Sequence, residues 1–264
     1  MRTPERASRV ARRTFPGAAD PKDRILRAAA GAIAAHGFHG MSMRELARAA
    51  GMSLSNLYNH YPSKEEILFA LQEQAFQVLV SSAEDALRRL DAGGAATADA
   101  RLYVFVFHHV RYVAENPDVM RVLVHEAASL PAGRRREVRA LKERYFGIGR
   151  EIVEQLMVQG CTRLGAPART GGGTARPGAE PAELDRVTYN LFGMLNWSYG
   201  WYDPEVHGPP RELARTIHRI ALCGVVSHCP FQDVQESLEQ SLAAMDWPPL
   251  LGGAAAPDPK GAPA

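Results

Sequence analysis

Cysteine is nearly missing from this chain. The three residues Cys161, Cys223 and Cys229 are an odd, scattered set. They offer no disulfide framework and fit a reducing, cytoplasmic setting. Long apolar runs are also lacking, so no segment of the sequence can span a bilayer as a helix and no membrane partner is expected. The N-terminal stretch is basic but has no apolar core of a signal peptide. Motifs of common catalysis are missing as well. There is no Gly-x-Ser-x-Gly elbow, no P-loop and no dinucleotide fingerprint, so neither enzymatic activity nor a cofactor is expected. Cys223, His228 and Cys229 invite a metal reading. However, the two cysteines lie six apart, a poor shared helical face, and no second Cys/His pair is near, so core packing is the better account and no metal is expected.

What is present is an unequal division of charge. Residues 1–64 carry 11 Lys or Arg against 4 Asp or Glu, a net of +7, while residues 65–264 carry 20 against 25, a net of −5. A small basic head on an acidic body suits one polyanion-binding end and a second end with another task. Proline and glycine concentrate in the N-terminal arm, in 165–181 and after Trp247, which read as loops or tails. The chain therefore divides into a basic arm (1–20), a helical head (21–66), a helical body (67–246) and a tail (247–264).

Within the head, Asp20 and Pro21 open a helix that should run to His36, with Ile25, Ala29 and Ile33 on one buried stripe and Gly37 as the stop. Ser42 with Glu45 is a capping box for a second helix, on which Arg44 and Arg48 face outward. Gly51 supplies the tight turn, and Ser53 caps a third, short helix from Leu54 to about Tyr61. Leu54 and Leu57 anchor that helix, which leaves Ser55, Asn56, Asn59 and His60 to face outward. A short helix of this kind can enter the DNA major groove. Pro62 breaks the chain, and Ser63 with Glu66 repeats the capping box.

The run Gly51-Met-Ser53-Leu-Ser-Asn-Leu57-Tyr58-Asn-His60-Tyr61-Pro-Ser-Lys64 resembles the signature of the TetR-like transcriptional regulators, Gly-x-Ser-x-x-x-Leu-Tyr-x-His-Phe-x-x-Lys. Tyr61 stands where Phe is usual, Ser55 where a smaller residue is common and Ser42 where Thr is commoner. The resemblance is strong over about 22–70. It implies an all-α fold with a three-helix helix-turn-helix domain and a C-terminal ligand-binding and dimerisation domain. It also implies a homodimer on a palindromic operator in double-stranded DNA, with Tyr58, His60 and Lys64 contacting phosphates or positioning the short third helix. Together with the outward residues of the head, the expected DNA contacts are Ser42, Arg44, Ser53, Ser55, Asn56, Tyr58, Asn59, His60 and Lys64.

The body reads as helices over 63–91, 99–115, 118–130, 134–159, 183–202 and 210–228, with an extra segment at 233–245. Over 99–115 the periodicity is weak, and a buried strand competes. The last two main helices are more apolar than one core stripe needs, so a dimer interface at Leu191, Leu195, Ile217 and Val225 is expected. The doublet His108-His109 points in two directions on a helix, so at most one lines a pocket. Leu195-Asn196-Trp197 followed by Trp201-Tyr202 is similar to a segment in TetR-like regulators of acyl-coenzyme A catabolism. Its tryptophans either pack on core or partner, or stack on an acyl-coenzyme A. The second account makes His109, Tyr112, Asn196, Trp197 and Trp201 effector contacts. Gly193 stands where such regulators carry Arg, so Arg111, Arg150 or Arg186 would meet the phosphates. The expectation is a repressor released by a small apolar effector such as an acyl-coenzyme A. A helical small-molecule-binding or enzymatic protein that uses the helix-turn-helix only for packing is the competing class.

Overall fold

The computed structural model describes residues 20–93, 97–159 and 181–226. The expected arm, the loop at 165–180, the segment at 233–245 and the tail lie outside them. All described residues fall in one unit, and every regular element among them is helical.

Helix α1 (Pro21–Gly40) starts as its sequence dictates: the Asp20 carboxylate accepts from the Lys22 N–H at 2.9 Å and Pro21 fills the first turn. Ile25, Leu26, Ala29, Ala30 and Ile33 bury one face. Regular geometry ends at Gly37, whose φ of +72° is cheap only for glycine, and the chain folds Phe38 back into the core. Helix α2 (Met43–Ala49) and helix α3 (Leu54–His60) follow, joined by Gly51 at φ +66°. Their N-caps are the expected serines: Ser42 Oγ accepts from the Glu45 N–H at 3.2 Å, and Ser53 Oγ from the Asn56 N–H at 3.1 Å.

The two capping boxes close differently. Glu45 accepts both the Ser42 hydroxyl, at 2.7 Å, and the Ser42 backbone N–H. The Ser63 hydroxyl caps helix α4 (Lys64–Ala92) by accepting from the Glu66 N–H, but the Glu66 carboxylate turns away to Arg134, which grips both its oxygens at 3.1 and 2.8 Å. A bidentate guanidinium outcompetes a single neutral N–H for a carboxylate.

Helix α4, about 43 Å long at 1.5 Å per residue, runs from head to body without interruption. Against it pack helix α5 (Ala98–Glu115), capped by Thr97, and helix α7 (Ala132–Gln159). The 99–115 segment is helical: Leu102, Phe105, Val106, His109, Val110 and Val113 recur at helical spacing and are buried. Helix α6 (Pro117–His125) leans on α1 and so joins body to head. Helix α8 (Pro181–Trp197) packs on α7 and continues as a 3₁₀ turn, Ser198–Gly200. After a single helical turn α9 (Pro204–His207), helix α10 (Pro210–Val226) packs mainly on α5.

Candidate functional site

Leu57, fully buried, pins α3 to the head, with Leu54 half-buried beside it. Ser55, Asn56, Tyr58 and Asn59 are left exposed on the opposite side. Tyr58, 47% exposed, is the large side chain of this face. Arg44 and Arg48 of α2 are exposed too, so the head presents amides, a phenol and two cations. Tyr61 turns inward, and burial raises its phenol to about 12, with Asp20 and Asp23 adding to the rise. That residue is structural, as Phe would be.

Four expected DNA contacts have their polar atoms engaged or partly covered. Ser42 and Ser53 spend their hydroxyls as caps. His60 is half-buried. Lys64 Nζ lies 3.5 Å from the carbonyls of Phe38 and His39 and 4.8 Å from the centre of the Phe38 ring. In this position its ammonium complements the C-terminal end of α1.

In the body the expected ligand residues separate into two groups. His109 is buried on α5, its Nδ1 3.1 Å from the Tyr145 hydroxyl of α7, with Phe192 of α8 edge-on at 6.3 Å. Its Nε2 has no hydrogen-bond partner. Burial pushes His109 down to about 3, with His108 contributing. His108 shares a hydrogen bond with Ser82 at 2.7 Å and is pushed down to about 4, by burial and then by Arg111. The Tyr145 phenol is driven well up by burial, then by Tyr112. Both rings and the phenol are therefore neutral across physiological pH. Tyr112 is buried in the same core.

The second group lies at the surface. Trp197 is 67% exposed and touches Tyr199 edge-on; Asn196 is half-buried. Trp201, 44% exposed, stands edge-on to His207, beside Tyr202, whose hydroxyl donates to the Gly208 carbonyl at 2.8 Å. Arg150 is paired with Asp185 at 2.9 Å, while Arg186 is exposed. A single pocket holding His109 with Trp197 and Trp201 is not what the sequence builds, because the core group is closed over by aromatic rings.

The expected dimer positions need correction. Leu191, Leu195 and Ile217 are 2%, 0% and 5% exposed within one protomer, so they face its own core. The Val225 side chain lies outside the described residues. What α8 and α10 leave open is an apolar cleft of about 200 Å³ lined by Leu102, Leu156, Val187, Met194, Ile220 and Ala221, with Ile220 53% exposed.

Reasoning from sequence missed Phe105 and Phe192, which with Tyr145 close the core around His109, and Glu126, which meets the head 88 residues away. The spacing Phe105 to His109 and Tyr145 to Gly149, one turn each, was the available signal. Among the described residues no three His, Cys, Asp or Glu are grouped as metal ligands, and no helix is long and apolar enough to cross a membrane.

Residues 25–71 match the family described as bacterial regulatory proteins, tetR family, and residues 95–170 match the tetracyclin repressor-like C-terminal domain. Among solved structures, the TetR-family transcriptional regulator PfmR of Thermus thermophilus is similar: 29% identity, TM-score 0.61, covering 75% of this chain and 97% of that one. AibR, solved in complex with isovaleryl coenzyme A and operator DNA, is 25% identical, with TM-score 0.60 and coverage of 76% and 97%. A helix-turn-helix-type transcriptional regulator of Haemophilus influenzae is 28% identical over 91 residues, 34% of this chain and 42% of its own length. The chain thus spans less than half of that relative. The buried frame of α1 to α3, the outward polar face of α3 and the all-helical body together are the fold that this chain shares with these TetR-family regulators.

Proposed function

We propose that this protein is a sequence-specific, ligand-responsive DNA-binding regulator. It acts as a homodimeric repressor on a palindromic operator and is released by a small apolar effector. The observation that carries the DNA part is the α3 face: Ser55, Asn56, Tyr58 and Asn59 stand exposed around a helix anchored by Leu57 and capped by Ser53. A side-chain amide can pair bidentately with adenine, at about 1–3 kcal/mol of discrimination. The half-site spacing of such an operator follows from two heads related by a two-fold axis, about one helical turn apart. Residues 21–66 serve as the DNA-binding head and 67–246 as the sensing and pairing body.

For the effector, an acyl-coenzyme A is the class we favour. AibR, similar over most of the chain, was solved with isovaleryl coenzyme A and operator DNA. Here Trp197 and Asn196 offer an exposed stacking and hydrogen-bonding edge, and Arg186 is an exposed cation on the same helix. An acyl tail reaching His109 and Tyr112 would have to part the rings of Tyr145 and Phe192 that close this core, against a gain of about 25 cal/mol per Å² of apolar surface buried. Duplex selection from a random pool, followed by salt-dependent binding of the selected sequence, tests the DNA part. An inverted repeat should emerge, and a protein that enriches no sequence refutes it. Calorimetry with acyl-coenzyme A thioesters, free acids and coenzyme A alone tests the effector. Absence of thioester binding at micromolar concentration, or binding that leaves the duplex bound, excludes this class.

A further inference from the structure

The joint between head and body is where α6 lies along α1. Ile33 and Val122 are buried there, and a surface cleft of about 180 Å³ opens beside them, lined also by Gly37, Arg121, His125 and Glu126. Two hydrogen bonds flank it: Arg121 Nη1 donates to the Ala34 carbonyl at 3.3 Å, and the Phe38 N–H donates to Glu126 Oε1 at 3.1 Å.

Glu126 is tied on every side. It follows α6 directly, its Oε2 accepts from the Ser129 hydroxyl at 2.7 Å, and its carbonyl accepts from Gln72 Nε2 of α4 at 3.2 Å. Through Oε1 it meets the amide just past Gly37, where α1 stops being helical and one orphan N–H needs an acceptor. Its neighbour His125 is hydrogen-bonded through Nε2 to the Tyr199 hydroxyl, and Tyr199 in turn touches exposed Trp197 edge-on. A continuous line of contacts therefore runs from Trp197 through Tyr199, His125 and Glu126 to Phe38.

We propose that Glu126 is the positioning residue that sets the DNA-binding head on the body, and that the Tyr199–His125 contact makes this setting depend on the aromatic segment 197–201. The inference rests on the DNA-binding reading above and adds the route by which the body controls the head. Packed interfaces shift between discrete arrangements rather than deform continuously. With an open cleft at its edge and two hydrogen bonds flanking that cleft, this seam can be shifted by displacing one partner, so whatever covers Trp197 can move α6 against α1.

The test uses the full chain with two duplexes drawn from a selected operator, one holding both half-sites and one holding a single half-site. Hydrogen exchange at the Phe38 amide is followed in parallel. Glu126→Ala should weaken binding to the paired half-sites about tenfold, the scale of one charge-assisted hydrogen bond. It should leave single half-site binding unchanged and speed Phe38 exchange by a similar factor. Glu126→Gln keeps an acceptor oxygen and should restore both. Tyr199→Phe should reproduce the selective loss to a smaller degree. Equal loss on both duplexes, with Glu126→Gln failing to rescue, would mean a damaged head and overturns the proposal. Unchanged exchange and unchanged affinity in Glu126→Ala overturns it as well. A Tyr199→Phe protein that exchanges like the parent cuts the link to the aromatic segment. If the parent protein binds neither duplex, the DNA-binding reading falls, and Phe38 exchange in the same variants still decides the attachment.

Discussion

His109 shows how one buried side chain ties stability to pH. Its ring is held neutral inside the aromatic core and its folded value lies near 3, far below the unfolded 6.5. Between those values the unfolded chain binds a proton that the folded chain refuses, so stability rises with pH there. Its contribution is complete above about 6.5 and is lost as pH falls toward the folded value. His108, held near 4, acts in the same direction. Each ring costs about 1.4 kcal/mol per pH unit once the unfolded form is protonated. Denaturant unfolding between pH 7 and pH 4.5 should show this slope, and His109→Leu should remove about half of it. A variant slope equal to that of the parent would mean His109 does not carry the acid sensitivity. At the DNA face, Asn56→Ala and Asn59→Ala should each cost about 1–3 kcal/mol of discrimination at one base position if the amide reads adenine. Lys64 differs in kind. Its ammonium already sits over the end of α1, so Lys64→Ala should loosen that joint and lower thermal stability besides weakening DNA binding. A purely phosphate-contacting lysine would lower the salt slope by roughly one unit and leave stability alone.

At the scale of elements, α7 comes close to α5 and α8 at Gly149. A Cβ placed on Gly149 would fall 2.8 Å from Phe192 Cε2 and 3.2 Å from Phe105 Cε1, so only a hydrogen fits between the rings. Gly149→Ala should therefore destabilise by about 1–3 kcal/mol through overpacking, despite alanine's better helix propensity. An unchanged unfolding midpoint would show that the rings move aside freely. Gly149 also marks the limit of what the sequence discloses. Helix starts were legible because their signals are local: Asp20, Ser42, Ser53 and Ser63 each cap the predicted helix, and Gly37 and Gly51 take the positive φ that turns demand. Apolar spacing likewise marked Ile25, Ala29 and Ile33 as one buried stripe, as they are. Spacing does not say against what. Leu191, Leu195 and Ile217 are as buried as expected, but inside the protomer rather than across a partner face. Glu66 had a plausible local partner in its capping box and a stronger one in Arg134, 68 residues on, and only the tertiary structure decides between them. The aromatic closure of His109 draws on three helices, and the one-turn spacing of Phe105 and His109 signals only the wall on its own helix.

For the whole molecule, the proposed palindromic operator requires two heads, and so a surface that pairs two copies. Val187, Asn190, Met194 and Trp197 follow one another at helical spacing on the side of α8 that is not fully covered, and Ile220 lies on the adjoining part of α10. Such a face, half apolar and bordering an open cleft, is what a second copy of α8 and α10 would bury in a four-helix arrangement. Leu195→Glu puts a carboxylate into the protomer's core, so it should unfold the protein rather than dissociate it. Met194→Glu with Ile220→Glu places its charges at the rim, where a lone protomer can hydrate them. A paired protomer would have to strip that water at a cost of several kcal/mol. Sedimentation of this double variant should show a folded single chain with near-parental helical content. Its affinity for a paired half-site duplex should fall toward that for one half-site, because the second contact is no longer intramolecular. An intact dimer in the double variant would move the interface away from this face, and the heads would have to be spaced by some other surface of the body.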